Sequence, residues 1–381
     1  MIRSSQSILR KRGVFLQQQR KIWPIVAGVV IFSALTVVQY GMRAYQRMEK
    51  ETKDGGEDAQ TDGSNSSSNN SSTEGKHMKD FKKSIGIDFG SSFNKIGYRE
   101  DSKIDVIEDK TGRRSIASAI SLPVSEPPMC GQLARNTRFS KPTSTYFGTS
   151  LMMGLKRDED ILNRIQSQLP YKVDSTSISI ADMNIKIAKD LATVALEKKI
   201  ARSPAAISYP NFFKLHQQDA LKSTMREAGL DAVALLPDAV AAVLGSIQMG
   251  ELKIDKSAAA STIAVIDLGG RITQFSLVHA DLSPSSSQPL SLVDHVTLFD
   301  VGGDFFDDAI VKFLSDKFTL ENKGIHLLTD PQAKQRLYDA AEAAKIELSN
   351  ANFTVVSIPF ITADQTGLFV CLLNLVDCII I

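Results

Sequence analysis

The sequence predicts an α/β fold of two related α/β lobes around a cleft, the second lobe incomplete, preceded by one transmembrane helix. Three observations carry this expectation. A strand, Asp-x-Gly turn, strand pattern occurs twice, in "SIGIDFGSSFNKIGYRE" around Asp88 and in "STIAVIDLGGRITQFSLVHA" around Asp267. Short apolar strands alternate with helical stretches between the two, as in α/β architectures. Residues 23–42, "WPIVAGVVIFSALTVVQYGM", carry no charge, and about twenty such residues suffice to cross a hydrocarbon core as a helix.

The N-terminal elements come first. Residues 1–22 hold Arg3, Arg10, Lys11, Arg12, Arg20 and Lys21 and no acid, so they read as a basic targeting segment. Trp23 and Tyr40 stand near the two ends of the apolar run, where interfacial aromatics belong. The run is long for a signal-peptide core and no small-residue cleavage site follows it, so it reads as an uncleaved anchor. Basic charge concentrates before it, while Glu49, Glu51 and Asp54 dilute the charge after it; this keeps the N-terminus on the side of synthesis. Two membranes fit such a flank, the mitochondrial inner membrane and the endoplasmic reticulum. The Asn-x-Ser sequons at Asn65, Asn69 and Asn70 matter only in the second case. Residues 43–80, rich in Gly, Ser, Asn, Asp and Glu, are too polar to bury a core and read as a disordered linker.

The folded part is expected in two pieces, lobe I over 81–258 and lobe II over 259–367. In the first, Ile85, Ile87 and Phe89 alternate along a strand that ends at the turn Gly90-Ser91-Ser92. "MNIKIAKDLATVALEKKIA" has helical spacing, "AAISYP" and "VALLP" are short strands, and "HQQDALKSTMREAGL" is a helix stopped by Gly229. "DAVAAVLGSIQMG" is a small-residue helix with Asp238 at its N-cap. In the second piece "FDVGGDFFDDAIVKFL" leads from a glycine turn into a helix. "AKQRLYDAAEAAKIELSNA" is another, its apolar stripe at Leu337, Ala341, Ala344 and Leu348. Residues 368–381, "LFVCLLNLVDCIII", read as an apolar tail of unclear origin.

Composition excludes several chemistries. The net charge of +1 gives no bias toward nucleic acid. Cys130, Cys371 and Cys378 make no disulfide framework and have no metal-ligand spacing, and the five histidines are scattered. The glycine turns are more informative. Backbone N–H groups at such a turn can converge on phosphate oxygens, and a neighbouring carboxylate can hold hydrated Mg²⁺ against the same phosphates. Either turn alone is more simply read as a plain β-turn; two of them offer a clamp from both sides of a cleft. Gly302 and Gly303 open a helix, where free N–H groups favour an anion. Glu342, Lys345 and Ser349 share one helical face.

The motifs "IGIDFGSSFNKIGY", "AAISYPNFFKLHQQDALKSTMREAGLDAVALLPDAVAAVLGSI", "VIDLGGRITQFSLV", "VGGDFFDDAIVKFL", "AAEAAKIELSNA" and "IPFITADQTG" occur in that order between Ser84 and Gly367. Together they resemble the nucleotide-binding domain of the DnaK-type 70-kDa heat-shock chaperones, an actin-like ATPase. The resemblance implies ATP or ADP with Mg²⁺. It implies that Asp88 and Asp267 are the metal-proximal acids, acting through water, and that Asp238 joins them as a catalytic acid. Gly90, Ser91 and Ser92 would wrap the phosphates, with Gly269 and Gly270 opposite. Gly302 and Gly303 would contact phosphate or ribose, and Glu342, Lys345 and Ser349 would face the adenosine. It also implies a J-domain co-chaperone, a nucleotide-exchange factor and, where a substrate domain exists, unfolded polypeptide. The family continues beyond "ITADQTG", so the resemblance is to a C-terminally truncated member.

The departures fall on hydrolysis. Ser150 stands where the family has a lysine near the γ-phosphate, and Asp238 where it has a glutamate. Arg271, Ile272 and Gln274 replace a glycine, a threonine and an aspartate, and Gln218 replaces an arginine. For Arg271 two roles are open: a cation in place of the one missing at Ser150, or, as is usual for an arginine at a turn, a solvated side chain. Two functions follow: a membrane-anchored chaperone-like protein that binds ATP and hydrolyses it weakly, or a non-catalytic actin-like scaffold or regulator.

Overall fold

The computed structural model describes residues 83–374, apart from 101–102, 173–177, 201, 255–259, 284–285, 287, 323–324 and 362–367. The expected targeting segment, anchor and linker lie outside these residues. Among the described residues no helix is long and apolar enough to cross a membrane.

The first sheet is built on an antiparallel hairpin of β1 (Lys83–Phe89) and β2 (Phe93–Glu100). β3 (Lys103–Val106) and β4 (Ile116–Ala117) both pair with β2. A second, small sheet holds β5 (Ala119–Ser121), β6 (Met129–Cys130) and β7 (Thr145–Phe147). On the other edge of β1 the first sheet continues with β8 (Pro204–Tyr209) and β9 (Asp231–Pro237), both parallel to it. Parallel neighbours need crossover connections, and helices supply them. These are α1 (Gln132–Arg135), α2 (Asp160–Gln166), α3 (Ile180–Glu197) and α4 (Leu215–Glu227). Ile85 and Ile87 of β1, Ile207 of β8 and Leu191 of α3 are wholly buried in one cluster, so β1 is the spine of this half. Ser179 caps α3 by accepting from Asp182 N.

The second half opens with α5 (Asp238–Gln248), whose apolar side packs on a three-stranded antiparallel sheet of β10 (Ser261–Leu268), β11 (Thr273–Ala280) and β12 (Leu290–Leu298). Ala239, Val243, Val265 and Val278 share that core. α5 thus packs with the sheet that follows it as well as with the strands before it. Its assigned N-cap is Pro237, and Asp238 is the first helical residue, a correction of one position to the expected cap.

α6 (Gly303–Glu321) and α7 (Pro331–Leu348) then pack together over a hairpin of β13 (Phe353–Pro359) and β14 (Leu368–Asn374). The expected stripe Leu337, Ala341, Ala344 and Leu348 is buried against Ile310, Leu314 and Phe318. The expected apolar tail is different. Its first seven residues are β14, paired from Leu368↔Pro359 to Asn374↔Phe353, and Cys371 and Leu373 fill the same core. At those two positions the apolarity is that of a strand facing a core.

Two glycines with positive φ separate backbone strain from packing. Gly154 (φ +70°) has no room for a side chain: a Cβ would lie 3.0 Å from Ala220 Cβ and Gln217 Cα of α4. Gly250 (φ +73°) faces open space. Gly250→Ala is expected to cost about 1–2 kcal/mol, the left-handed backbone penalty alone. Gly154→Ala should cost clearly more, as read by urea unfolding; equal losses would mean that α4 yields to the added methyl.

Candidate nucleotide site

The site begins with strand register. In an antiparallel pair, directly opposed residues project from the same face. Asp88 is opposed by Lys95 across the first hairpin, and Asp267 by Gln274 across the second. The two hairpin turns, the start of α5 and one face of α7 enclose a cavity of about 200 Å³. Its walls include Asp88, Gly90, Ser91, Ser92, Asp238, Asp267, Gly269, Gly270, Gly303, Glu342 and Lys345, together with Lys95 and Ile272.

Three carboxylates therefore converge. Burial pushes the Asp267 carboxyl up to about 6, with repulsion from Asp88 adding to it and the Gln274 hydrogen bond and Lys95 opposing it. Burial, then Asp267 and Asp88, holds Asp238 well above the ordinary carboxylate value. Gln274 answers part of this repulsion: its Nε2 donates to Asp267 Oδ2 (3.2 Å) and reaches Asp238 Oδ2 (3.5 Å). Its Oε1 accepts from Asn211 N at 2.7 Å. Asn211 in turn donates to Ser276 Oγ (2.8 Å) and accepts from Ala239 N (3.2 Å), joining β11 to the start of α5. An aspartate at 274 would have added a fourth carboxylate where an amide now donates.

The remaining polar groups are committed to protein partners. Ser150 is buried, and its hydroxyl donates to the Gly90 carbonyl at 3.1 Å. Lys345 Nζ lies 2.6 Å from Asp307 Oδ1 and donates to Gly303 O at 2.8 Å. Glu342 pairs with Arg135 at 3.1 Å, linking α7 to the first half. Close by, Phe139 N donates to Gln335 Oε1 (2.9 Å), and the Phe139 ring stacks on Tyr338 with centroids 3.7 Å apart.

Gly302 and Ser349 do not line the cavity. Gly302 is a packing glycine: a Cβ there would fall 2.6 Å from Gly270 O. The Gly303 N–H, expected to be open to an anion, donates instead to Gly269 O (2.9 Å), and the N–H of Asp304 beside it donates to Gly270 O (2.8 Å). The Ser349 hydroxyl turns back to donate to Lys345 O at 3.3 Å, at the end of α7.

Arg271 takes neither of its two expected roles. Its guanidinium does not enter this cavity. Nη1 lies 3.1 Å from Asp304 Oδ2, and Nη2 donates to Gln168 O at 2.9 Å. The group sits near the Phe147 and Phe305 rings and lines a separate cavity of about 270 Å³. Its side chain is 6% exposed, so burial fixes its direction: the buried Asp304 carboxylate is a better partner than acids already facing Gln274 and Lys95. Burial pushes Asp304 up, and Arg271, then Arg138 and Arg135, more than offset it, leaving that carboxyl below its ordinary value.

The residue that periodicity and turn chemistry missed is Lys95. Its signal was register alone: a tight turn centred on Ser91-Ser92 pairs Asp88 with the residue seven positions on.

The chain belongs to the Hsp70 protein family, whose model matches residues 84–373. The mixed α/β architecture fits the actin-like ATPase fold of that family, a chaperone-like, ATP-binding class. The family in general uses ATP with Mg²⁺ and works with J-domain co-chaperones and nucleotide-exchange factors. The cavity fits that chemistry in kind: Lys95 stands beside the cluster of Asp88, Asp238 and Asp267 while Lys345 is paired with Asp307, and a divalent cation would relieve the excess of negative charge. Among the described residues no group of three or more His, Cys, Asp and Glu is arranged to grip a metal directly. A cation here would be held through water and phosphate.

Two outcomes follow. An acid held at about 6 when folded and at 3.8 when unfolded retains its proton longer in the native state. Its contribution to stability therefore falls as pH rises from about 4 to about 6 and is flat above. Urea unfolding at constant ionic strength should show this slope reduced in Asp267→Asn; an undiminished slope would place the Asp267 titration at its ordinary value. Arg271→Ala leaves Asp304 buried without its nearest cation, and should cost about 3–5 kcal/mol. Most of that loss should return in the double variant with Asp304→Asn, and an additive double loss would show that the pair is not coupled.

Proposed function

We propose that the chain is a membrane-anchored member of the Hsp70 family, two actin-like lobes around a cleft that takes ATP or ADP with Mg²⁺ and hydrolyses ATP slowly. The observation that carries this reading is the single cavity in which both Asp-x-Gly turns, the three acids and the Glu342–Lys345 face of α7 meet. Asp88 and Asp267 would hold the hydrated metal, whose role when bound is to neutralise phosphate charge. The backbone of Gly90, Ser91 and Ser92 would take the phosphates from one side, and Gly269 and Gly270 from the other. Asp238, shorter than the family's glutamate, and the neutral Ser150 account for slow turnover, since hydrolysis depends on positive charge at the transferring phosphoryl group.

In this proposal residues 23–42 are the anchor, with the N-terminus on the side of synthesis, in the mitochondrial inner membrane or the endoplasmic reticulum. The function belongs to protein folding or quality control, with a J-domain co-chaperone and a nucleotide-exchange factor as partners. Unfolded polypeptide is the client where a substrate domain accompanies the ATPase fold.

The second reading, a non-catalytic actin-like scaffold or regulator, is favoured by one observation. The two turns abut: a Cβ on Gly270 would lie 2.0 Å from Ser92 Oγ, and that hydroxyl donates to the Asp304 carboxylate at 3.2 Å. Calorimetry with MgATP on the full chain separates the readings. Saturable binding that Asp267→Asn abolishes, with slow single-turnover hydrolysis, is the expected result. A folded protein that binds neither ATP nor ADP is the scaffold.

A further inference from the structure

Of the positions around the cleft that could meet phosphate charge, three are unsuited to it. The position that the family fills with lysine is Ser150, neutral and bonded to Gly90 O. Arg271 is spent on Asp304 and Gln168 in the other cavity. Lys345 is held at 2.6 Å by Asp307. Lys95 differs from all of these. Its side chain is 7% exposed and lines the cavity, and its ammonium stands 3.7 Å from Asp88 Oδ2, near the outer limit of an ion pair.

Burying an ammonium costs several kcal/mol unless strong partners repay it. A lysine brings three donors, and one long contact to a carboxylate makes poor use of them. The strand places it there all the same, because register fixes Lys95 on the face of Asp88. The same wall carries Gly90, Ser91 and Ser92, the turn that would wrap phosphates. We infer that Lys95 is the phosphate-facing cation of this chain, a point charge on β2 that takes over the electrostatic role vacated at Ser150. Its ligand class is a nucleoside di- or triphosphate, since a nucleoside or monophosphate lacks the terminal phosphates that the turn Gly90–Ser92 would wrap.

This inference rests on the nucleotide reading, and its test distinguishes the two. Binding of MgATP, MgADP and AMP is measured by calorimetry on the full chain in mild detergent, for the parent and for Lys95→Met. A lost charge-assisted contact should weaken MgATP about ten- to hundredfold and leave AMP unchanged. Adding Ser150→Lys to Lys95→Met should restore MgATP affinity by returning a cation beside Gly90. Should Lys95→Met not fold, the parent alone decides: ATP should protect Lys95 from an amine-acylating reagent, as mapped by mass spectrometry, and adenosine should not. Equal MgATP affinity in parent and Lys95→Met, equal losses for ATP and AMP, or absent protection in a parent that binds ATP would each overturn the role of Lys95 and leave the nucleotide reading standing. A parent that binds no nucleotide would overturn both.

Discussion

Three aspartates brought within repulsive reach of one another form the constraint on which the rest of the cleft depends. Asp88, Asp238 and Asp267 come from the ends of β1 and β10 and the start of α5; β1 is fixed in one core, and β10 and α5 together in another. The repulsion is therefore not relieved by a side-chain rotation. It is met by neighbours chosen for charge: Lys95 beside Asp88, and the Gln274 amide between Asp238 and Asp267. The proton affinities of Asp238 and Asp267 are raised first by burial and then by the repulsion those neighbours leave unbalanced. A protein with no use for that imbalance would be more stable with one acid fewer.

The second dependence is between halves. Arg271 reaches Gln168 from the turn of the second hairpin, Arg135 reaches Glu342 from the first half, and Asn211 ties the end of β8 to β11. These contacts are polar and largely buried, so each is strong in geometry and costly to break singly. Arg271 shows how a substitution at a phosphate-type turn can change the purpose of the position. A residue without a side chain lets backbone approach a ligand; a buried arginine there joins protein to protein instead.

Much of this was legible in the sequence, and the gaps have physical causes. Both hairpins, the long helices and the α7 stripe follow from alternation and helical spacing, which are local. The acids at 88, 238 and 267 stood out because each precedes or opens an element, where a side chain projects from the end of a strand. Lys95 was missed because its placement depends on register across a turn. Arg271 was misdirected because sequence gives its position but not the Asp304 that claims it from thirty-three residues away. Residues 368–374 were read as a tail because a short apolar run without its pairing partner has no signature of its own. Gly302 and Ser349 matched a pattern by position, while their surroundings in space are other backbone atoms.

The bonds from Gly303 and Asp304 to the carbonyls of Gly269 and Gly270 have a mechanical side. A glycine turn held to a helix start by two backbone hydrogen bonds does not bend apart from it; turn and helix are one body. α6 runs from Gly303 to Glu321, a rod of about 28 Å at 1.5 Å per residue. A tilt of about 5° at the turn sweeps the far end of such a rod through about 2.5 Å. The second hairpin thereby has the leverage of an amplifier, converting a displacement too small to alter its own bonds into one large enough to repack a surface far from the cleft.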